Sequence, residues 1–317
     1  MVYVQDFKWT ENMKVKDLLD NYGSIGFQSV ELKRAMDVFV KMKKANAKIY
    51  LTFTSNMVTS GLRGFFAQLI KLGMVDIIVT TAGGLEEDIM KAKGAKFDVG
   101  TFDVDDVELH EQGINRVGNL QIKNEFYMQF EDTLLPFIQN MYDEKPRWAV
   151  SDMLMEIGSL LNDPQSVLYQ AAKNNVPVFC PAITDGAFGF HLYLFQQKHP
   201  DFVVDVVRDF GNILFATSFD DRKGVIALGG SISKHHAILS TLLNGGAEYA
   251  VYMTTAHRTS GSMSGANTNE AKSWGKVKDD SDVATVIGDV SINFPLAMIR
   301  ALDELAEDGL LRTTAEE

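Results

Sequence analysis

The sequence is poor in the features that mark secreted and membrane-spanning proteins. Its 317 residues contain one cysteine, Cys180, which excludes an intramolecular disulfide framework and favours a reducing compartment. The amino terminus lacks the apolar core of a signal peptide, and no run reaches the roughly 18 apolar residues needed to cross a membrane. We therefore expect a cytoplasmic protein, with Cys180 as a small buried residue rather than a catalytic thiol.

Basic residues are scarce relative to acidic ones. The chain has 30 lysines and arginines against 42 aspartates and glutamates, for a formal net charge of -12. This balance disfavours binding to a nucleic-acid backbone and suits cationic substrates or partners. The His235-His236 pair is a poor metal motif, because neighbouring side chains diverge and no Cys/His cluster lies nearby. The sequence therefore predicts no partnership with nucleic acid, membrane or metal.

Short β-branched runs alternate with amphipathic stretches along most of the chain, which is typical of a parallel sheet with helices on both faces. The predicted strands are Lys48 to Phe53, Asp76 to Thr80, Val176 to Phe179, Gly224 to Leu228, Tyr249 to Met253 and Ala284 to Ile287. The predicted helices are Val15 to Asp20, Phe27 to Lys44, Gly61 to Leu72, Phe126 to Tyr142, Ser166 to Asn174, His235 to Leu243 and Phe294 to Ala306.

No repeat, low-complexity tract or Pro/Ser-rich linker divides the chain. We therefore predict a single large α/β domain over residues 1–317, with a helical N-terminal segment over about residues 1–45. Within this domain, Pro136 predicts a kink or an interruption in the helix from Phe126 to Tyr142.

Small and polar residues follow each predicted strand. In open parallel sheets the ligand crevice lies beyond the carboxyl ends of the strands, where glycines admit a close ligand and helix amino ends attract phosphate. Each segment alone could be ordinary turn chemistry, but their recurrence favours a nucleotide site. The sequence has no Gly-x-Gly-x-x-Gly fingerprint, so an ordinary Rossmann dehydrogenase is not indicated. The segments are Thr54-Ser55-Asn56, Thr81-Ala82-Gly83-Gly84, Thr184-Asp185-Gly186, Gly229-Gly230-Ser231, Thr254-Thr255-Ala256 and Gly288-Asp289.

The octapeptide Asn269 to Lys276 combines what handling a polyamine requires. Glu270 offers a carboxylate for an ammonium, Trp274 an aromatic face for a cation or alkyl chain, and Lys276 a nitrogen that can become a nucleophile. A lysine has a reference pKa near ~10.4, so burial or nearby cations must produce the neutral amine. The same octapeptide is also compatible with a loop that carries solvated lysines and a half-buried tryptophan.

Seven motifs, spread in family order over roughly residues 50 to 295, resemble those of the deoxyhypusine synthase family. They are Thr54-Ser55-Asn56, Thr80-Thr81-Ala82-Gly83-Gly84-Leu85-Glu86-Glu87-Asp88, Gly113-Ile114-Asn115-Arg116-Val117-Gly118-Asn119, Pro181-Ala182-Ile183-Thr184-Asp185-Gly186, Lys234-His235-His236, Gly246-Ala247-Glu248-Tyr249-Ala250-Val251-Tyr252 and Glu270 through Lys276.

The resemblance implies a Rossmann-like fold, a homotetramer, NAD as cofactor, and transfer of a 4-aminobutyl group from a polyamine such as spermidine to an acceptor amine. NAD would take a hydride from the donor, Lys276 would capture the resulting imine, and the acceptor amine would displace it before the hydride returns. His235 would be the natural proton acceptor, because its reference pKa of about 6.5 leaves it largely neutral at cellular pH.

Position by position, the resemblance assigns two sets of binding residues. The NAD-binding set is Ser55, Asn56, Met57, Val58, Thr59, Thr81, Ala82, Gly83, Glu87, Asp185, Gly230, Thr255, Ala256, Asp289 and Val290. The substrate-binding set is Glu86, Glu87, His235, Gly261, Ser262, Glu270, Trp274 and Lys276. Taken without the resemblance, Glu86 and Glu87 read as acids that favour a helix amino terminus, and His235 reads as a helix-start residue.

Two positions depart from the family pattern. Phe190 and Met263 stand where the resemblance implies aspartates that anchor the polyamine. Two acceptors therefore stay open: a protein lysine, which gives deoxyhypusine, and a small amine such as putrescine, which gives homospermidine. A catalytically silent protein that binds NAD or polyamine is a further alternative, as is a dehydrogenase that releases its imine.

Overall fold

The structure is a computed structural model that describes residues 3–312. Its helices are α1 (Val15–Asn21), α2 (Gln28–Lys44), α3 (Ser55–Thr59), α4 (Arg63–Lys71), α5 (Ala82–Ala92), α6 (Asp106–Glu111), α7 (Asn124–Glu144), α8 (Val150–Leu160), α9 (Val167–Lys173), α10 (Ala187–Lys198), α11 (Val206–Phe215), α12 (Ser231–Leu243), α13 (Thr268–Ser273) and α14 (Val290–Glu307). Short 3-10 turns cover Tyr22–Ser24 and Arg258–Ser260.

The strands are β1 (Lys48–Phe53), β2 (Ile77–Val79), β3 (Asp98–Val99), β4 (Ile114–Val117), β5 (Leu120–Lys123), β6 (Arg147–Trp148), β7 (Val178–Phe179), β8 (Val203–Val204), β9 (Lys223–Leu228), β10 (Ala247–Thr254) and β11 (Val277–Ile287). Six of them form the main sheet, in the order β11-β10-β9-β1-β2-β7. The predicted α/β class, a parallel central sheet flanked by helices, is confirmed.

The chain folds into two compact units. The first unit comprises Met1–Phe53, Leu72–Ile77 and Leu214–Glu317, and the second comprises Thr54–Lys71 and Ile78–Ile213. The predicted single domain over residues 1–317 stays a prediction, and its ends, 1–2 and 313–317, lie outside the described residues.

In the first unit, four parallel strands align their carboxyl ends. Phe53 pairs with Leu228, Leu228 with Met253, and Thr254 with Ile287. Every residue of β9 is buried, which is the pattern of a central parallel strand covered on both faces. Because the strands are in register, the segments that follow β9, β10 and β11 lie at one edge of the sheet.

Helices cover this part of the sheet. Helix α12 packs against β1, β9 and β10, while α2 and α14 pack on each other and on β10. Two side chains of α2 also bond the edge strand, because Gln28 Oε1 accepts from Ile287 N at 2.7 Å and Glu31 Oε2 accepts from Thr285 N at 3.4 Å. Helix α2 therefore covers the exposed hydrogen-bonding edge of β11.

In the second unit, β2 and β7 pair in parallel and are accompanied by two small sheets, β3-β5-β4 and β6-β8. Helices α3 and α5 pack against each other, and α5 also packs on α7 and α10. Cys180 directly follows β7 and is fully buried, as expected, and burial raises the pKa of its thiol.

Several predicted boundaries were wrong. Helix α7 runs through Pro136 without interruption, and α12 begins at Ser231 rather than His235. Helix α5 includes Ala82, Gly83 and Gly84, which the sequence suggested as a loop after a strand. Among residues 3–312, no helix combines the length and apolar character that a membrane crossing needs.

Candidate active site

Predicted cofactor residues of the first unit lie at the aligned strand ends. Gly230 follows β9 and precedes α12, while Thr255 and Ala256 follow β10. Asp289 caps α14 after β11, with Oδ1 accepting from Ser291 N at 2.7 Å, and Val290 is buried at the start of that helix. These positions present hydroxyl and carboxylate oxygens beside the amino ends of two helices.

A tight turn fixes the backbone of Lys276. Asn267 caps α13 by accepting from Glu270 N at 2.9 Å, and Gly275, two residues after the helix ends at Ser273, has a φ of 70° in the left-handed region. Lys276 N then bonds Ala271 O at 3.0 Å, which completes a Schellman-type ending. The sequence Trp-Gly-Lys therefore turns the chain sharply from α13 into β11.

The carbonyl of Lys276 accepts hydrogen bonds from two neighbouring elements, β10 and α12. Lys276 O accepts from Ala247 N at 3.1 Å and from Thr241 Oγ1 at 3.1 Å. Lys276 is only 6% exposed. The octapeptide is thus not a loop of solvated lysines at this position.

Burial favours the neutral form of Lys276, whereas the Trp274 ring and the Glu270 carboxylate favour its charged form. Its Nζ lies 5.1 Å from the centroid of the Trp274 ring. Burial lowers the pKa of Lys276, and the carboxylate of Glu270 partly opposes that effect. Trp274 itself is 65% exposed, so one face of its ring is free for a ligand in this chain.

A small cavity lies beside the lysine. Its volume is about 20 Å³, room for roughly one water molecule. Glu270, Trp274 and Lys276 line it together with Met263, one of the two positions that depart from the family pattern. Gly261 and Ser262 belong to the loop that precedes Met263 and are exposed. An apolar side chain therefore occupies the wall where the resemblance implied a carboxylate.

Lys234, to which no role was assigned from the sequence, provides a second amine in the lining of this cavity. Lys234 lies in α12, is 1% exposed, and its Nζ donates to Met263 O at 2.9 Å and to Ala266 O at 2.7 Å. The same Nζ lies 4.2 Å from the centroid of the Tyr252 ring. Burial and then the charge of Lys276 lower the pKa of Lys234 to about 8, against the opposing effect of Glu270.

A signal for Lys234 was present in the sequence, because it is the only Lys, Arg, Asp or Glu in the segment Ser231–Leu243. Tyr252 was missed too. It is 1% exposed, lines the cavity, and its hydroxyl has no hydrogen-bond partner among residues 3–312. An apolar strand gives no sequence signal that would single out this tyrosine.

His235 follows Lys234 and is half-buried. Burial, and then the charge of Lys276, lower its pKa. The imidazole is therefore neutral at cellular pH and able to accept a proton. His235 lies in the second turn of α12, so it is not a helix-start residue.

In the second unit, the predicted cofactor residues cluster where α3 and α5 begin. Ser55 N donates to Thr81 Oγ1 at 3.1 Å, and a Cβ on Gly83 would lie 3.0 Å from the Ser55 Cβ. A side chain at position 83 would therefore push the two helix ends apart. Asn56, Met57 and Val58 follow in α3, and Ala82 starts α5.

Glu87 is a buried carboxyl next to these helix ends. Thr59 Oγ1 donates to Glu87 Oε2 at 2.6 Å. Burial raises the pKa of Glu87 to about 7, although the Thr59 hydrogen bond and the charge of Lys91 work in the opposite direction. Glu87 can therefore gain or lose a proton near neutral pH.

Glu86 belongs to α5, but its carboxyl accepts a hydrogen bond from α10. Its Oε1 accepts from Phe188 N at 2.9 Å in the first turn of α10, and burial raises its pKa. A Cβ on Gly186 would lie 2.3 Å from that oxygen, so the close approach requires glycine. Asp185 is exposed just before this turn, and Phe190, in α10, is 56% exposed.

The arrangement fits NAD chemically. In the second unit, Ser55 and Thr81 offer hydroxyls that can bond ribose oxygens, and in the first unit Thr255 does the same; in each unit, helix amino ends can bond phosphate. In the first unit, Lys276, Glu270, Trp274 and His235 come together, while Glu86, Glu87 and Asp185 lie in the second unit. Within residues 3–312, no group of three or more His, Cys, Asp or Glu side chains is placed to hold a metal ion.

Comparison with known proteins agrees with the motifs. The family model for deoxyhypusine synthase matches residues 17–301. A Halobacterium salinarum protein named "Probable deoxyhypusine synthase" is 38% identical over 304 residues, 95% of this chain and 92% of its own length. A Schizosaccharomyces pombe protein of the same name is 39% identical over 299 residues, 89% of this chain and 85% of its own length.

A solved structure is similar as well. The crystal structure of a "putative deoxyhypusine synthase" from Entamoeba histolytica aligns with a TM-score of 0.69 and 29% identity, over 95% of this chain and 97% of that one. Both the sequence and the fold therefore match over nearly the whole length. This chain belongs to the deoxyhypusine synthase family.

Proposed function

We propose that this protein is an NAD-dependent transferase that moves a 4-aminobutyl group from a polyamine such as spermidine to an acceptor amine, with Lys276 as the covalent carrier. The observation that carries the proposal is the burial of Lys276 beside Trp274 and Glu270, around one cavity. Burial lowers the pKa of Lys276, and the larger neutral fraction makes this amine a better nucleophile than a solvated lysine.

The groups around Lys276 have complementary roles in this proposal. The Glu270 carboxylate binds an ammonium end of the donor through a charge-assisted hydrogen bond. The exposed face of Trp274 packs against the donor's alkyl chain and cationic nitrogen. His235, neutral at cellular pH, accepts the proton that leaves the reacting amine.

NAD, when bound, supplies the reversible removal of a hydride from the donor carbon next to nitrogen. Lys276 adds to the oxidised carbon, the donor's remaining amine leaves, and the fragment stays on the lysine as an imine. The acceptor amine then replaces Lys276 by the same addition and elimination, and return of the hydride to the acceptor imine would give the aminobutylated amine. Burial of the lysine keeps water away from the imine, which protects it from hydrolysis.

The acceptor is proposed to be a protein lysine, in accord with the family name of the relatives. Transfer to putrescine or another small amine is the second candidate, because Met263 and Phe190 stand at the two positions where the resemblance implies aspartates that anchor the donor. Replacing a carboxylate by an apolar side chain removes a charged hydrogen bond worth roughly 1.5–3 kcal/mol. The way the polyamine lies against the chain therefore differs from that in relatives with carboxylates there.

Label transfer separates these functions. Enzyme, NAD and spermidine labelled in its aminobutyl part are mixed with a hypusine-bearing factor precursor or with putrescine. We expect label in an acceptor with the wild type, none with Lys276→Ala, and full transfer with Lys272→Ala as the matched control. Label that appears only in homospermidine would overturn the protein-lysine acceptor.

The same assay tests the two remaining alternatives. A silent binding protein would transfer no label to either acceptor. A dehydrogenase would accumulate NADH while consuming no acceptor. We also propose a homotetramer in the cytoplasm, supported by the family relationship.

A further inference from the structure

The small sheet β3-β5-β4 of the second unit presents a row of apolar side chains to solvent. Val99 and Val117 both pair directly with Leu120, one from each side, so the three side chains lie on the same face of the sheet. Val99 is 79% exposed and Val117 is 41% exposed. Single apolar side chains are ordinary at a protein surface, but a continuous apolar row is typical of a contact surface.

Two further apolar side chains extend this row. The Phe102 ring is 69% exposed and lies close to the end of β4, because its Cε1 would be 3.5 Å from a Cβ at Gly118. Val107 is 68% exposed on α6, the helix that packs on β4. Arg116 of β4 fixes that helix in place, with Nε and Nη2 each donating to Asp106 at 2.7 Å. Together, the β4 patch consists of Val99, Phe102, Val107, Val117 and Leu120.

Carboxylates surround the β4 patch. Residues 98–117 carry six acidic side chains and one basic side chain, Arg116, which is already bonded to Asp106. Three exposed carboxylates form no ion pair within residues 3–312, namely Asp98, Asp103 and Glu111. An apolar surface with free carboxylates at its rim is complementary to a partner that offers apolar side chains among lysines or arginines.

Helix α7 links the β4 patch to predicted site residues of the same unit. The helix begins directly after β5, and the side chain of its first residue, Asn124, accepts from Asn115 Nδ2 of β4 at 2.7 Å. Tyr127 follows within one turn, and its pKa is raised by burial and then by the charges of Glu87 and Glu86. Helix α7 also packs on α5, which carries those two glutamates. A partner on the β4 patch therefore lies beside the helix that approaches these carboxyls.

We propose that the β4 patch docks the protein that carries the acceptor lysine, through a basic and apolar surface beside that lysine. Putrescine has no apolar side chains to cover the patch, so this surface serves a protein acceptor alone. The inference rests on the proposed transfer to a protein lysine.

The test measures binding apart from catalysis. The precursor of the hypusine-bearing factor is titrated onto the immobilised protein without NAD or polyamine, at about 50 mM and about 300 mM salt. The apolar variant combines Phe102→Ser with Val107→Ser. The charge variant combines Asp98→Asn, Asp103→Asn and Glu111→Gln. Thermal midpoints check that both variants stay folded.

A matched control makes the same kinds of change elsewhere in the second unit. It combines Val207→Ser, at a valine of α11 that is 78% exposed, with Glu144→Gln, at an exposed glutamate at the far end of α7. Because these side chains lie outside the β4 patch, the control should bind the precursor like the wild type.

We expect the apolar variant to raise the Kd for the precursor by about tenfold at both salt concentrations. The charge variant should raise the Kd at low salt and lose most of the salt dependence that the wild type shows. Transfer of label to putrescine should stay at the wild-type rate in both variants, because a small amine needs no docking surface.

A wild-type Kd in both variants would overturn the proposal, as would a precursor that does not bind the wild type. A smaller mass of the apolar variant in light scattering would also overturn it, because the patch would then be a contact between copies of this chain. Failure of the proposed function gives a different result. A precursor that binds through the patch but gains no label would contradict the transfer and leave the docking inference standing.

Discussion

The position of Lys276 depends on main-chain contacts as much as on its own side chain. Its N–H returns to Ala271 O, and its carbonyl accepts from Ala247 and Thr241. The lysine is therefore fixed by α13, β10 and α12 together. Such fixing matters chemically, because an amine that shares a cavity with a carboxylate and a second amine has a pKa set by its neighbours.

Glu270 is expected to hold the pKa of Lys276 up. A carboxylate favours the ammonium form, so Glu270→Gln should lower the pKa of Lys276 and move the rising limb of the transfer rate to lower pH. The KM for polyamine should rise at the same time, because a charged contact is lost. Steady-state rates from pH 6 to pH 10 measure both effects.

Asp280→Asn, an exposed carboxylate on β11, serves as the control for Glu270 and should leave the profile where it is. A midpoint that moves to higher pH in Glu270→Gln would show that the carboxylate does not act on Lys276 as argued.

Trp274 is expected to contribute to donor binding rather than to folding. Its ring is 65% exposed, so Trp274→Ala should leave the thermal midpoint nearly unchanged. Loss of a cation–π contact of about 0.5–2 kcal/mol should raise the polyamine KM by about 2- to 30-fold. Trp274→Phe should retain part of the polyamine binding. An unaltered KM in Trp274→Ala would show that Trp274 does not contact the donor.

At the scale of elements, α3 and α5 meet around a carboxyl that resists ionisation. Thr59 in α3 donates to Glu87 in α5, and burial raises the pKa of Glu87 to about 7. An unfolded glutamate titrates near ~4.3, so the folded protein binds more protons than the unfolded chain between these values. The stabilisation from Glu87 is therefore complete at low pH and is lost as the pH rises through about 7.

Glu87→Gln should remove this pH dependence. Relative to wild type, the variant should gain stability between pH 5 and pH 8, by on the order of 3 kcal/mol at most. Thermal midpoints at the two pH values measure the difference. Glu111→Gln, at an exposed glutamate of α6, should show no such gain, and a pH-independent difference for Glu87→Gln would contradict the account.

The elements also show what periodicity can and cannot predict. Strand β1 was predicted at its observed bounds, because a buried strand is a continuous apolar run. Strand β11 was predicted only from Ala284, because Asp279, Asp280 and Asp282 interrupt the apolar pattern in its first half. That half lies at the sheet edge, where charged side chains are tolerated.

For the whole molecule, the family and the α/β class followed from motifs in family order, whereas the contacts of single side chains did not. The resemblance assigned Glu86 to the polyamine site, and the sequence alone suggested an acid near the start of its own helix. Its oxygen bonds the first turn of α10, about a hundred residues away in sequence. Lys234 was quoted within a motif, but its two carbonyl partners become neighbours only when α12 and the loop of Met263 fold together. Such tertiary pairings have no local sequence signal.

The assembly is expected to be a homotetramer. Helix α10 of the second unit is apolar on its outer side too, with Phe190 and Tyr193 each 56% exposed and Leu194 38% exposed. The last turn of α10 is polar, but the turns before it expose these apolar side chains, so a second copy of the chain is expected to cover that part of the helix. Light scattering should give a mass close to four times the 35.2 kDa of one chain, and a monomer at micromolar concentration would contradict the expectation.

The central claim is that Lys276 carries the aminobutyl group, and borohydride trapping tests it most directly. Wild-type protein is incubated with NAD and labelled spermidine, reduced, digested and mapped by mass spectrometry. The account predicts a reduced adduct on Lys276 that requires NAD and is absent from Lys276→Ala. Label on any other lysine, or an active enzyme that yields no adduct at Lys276, would contradict it.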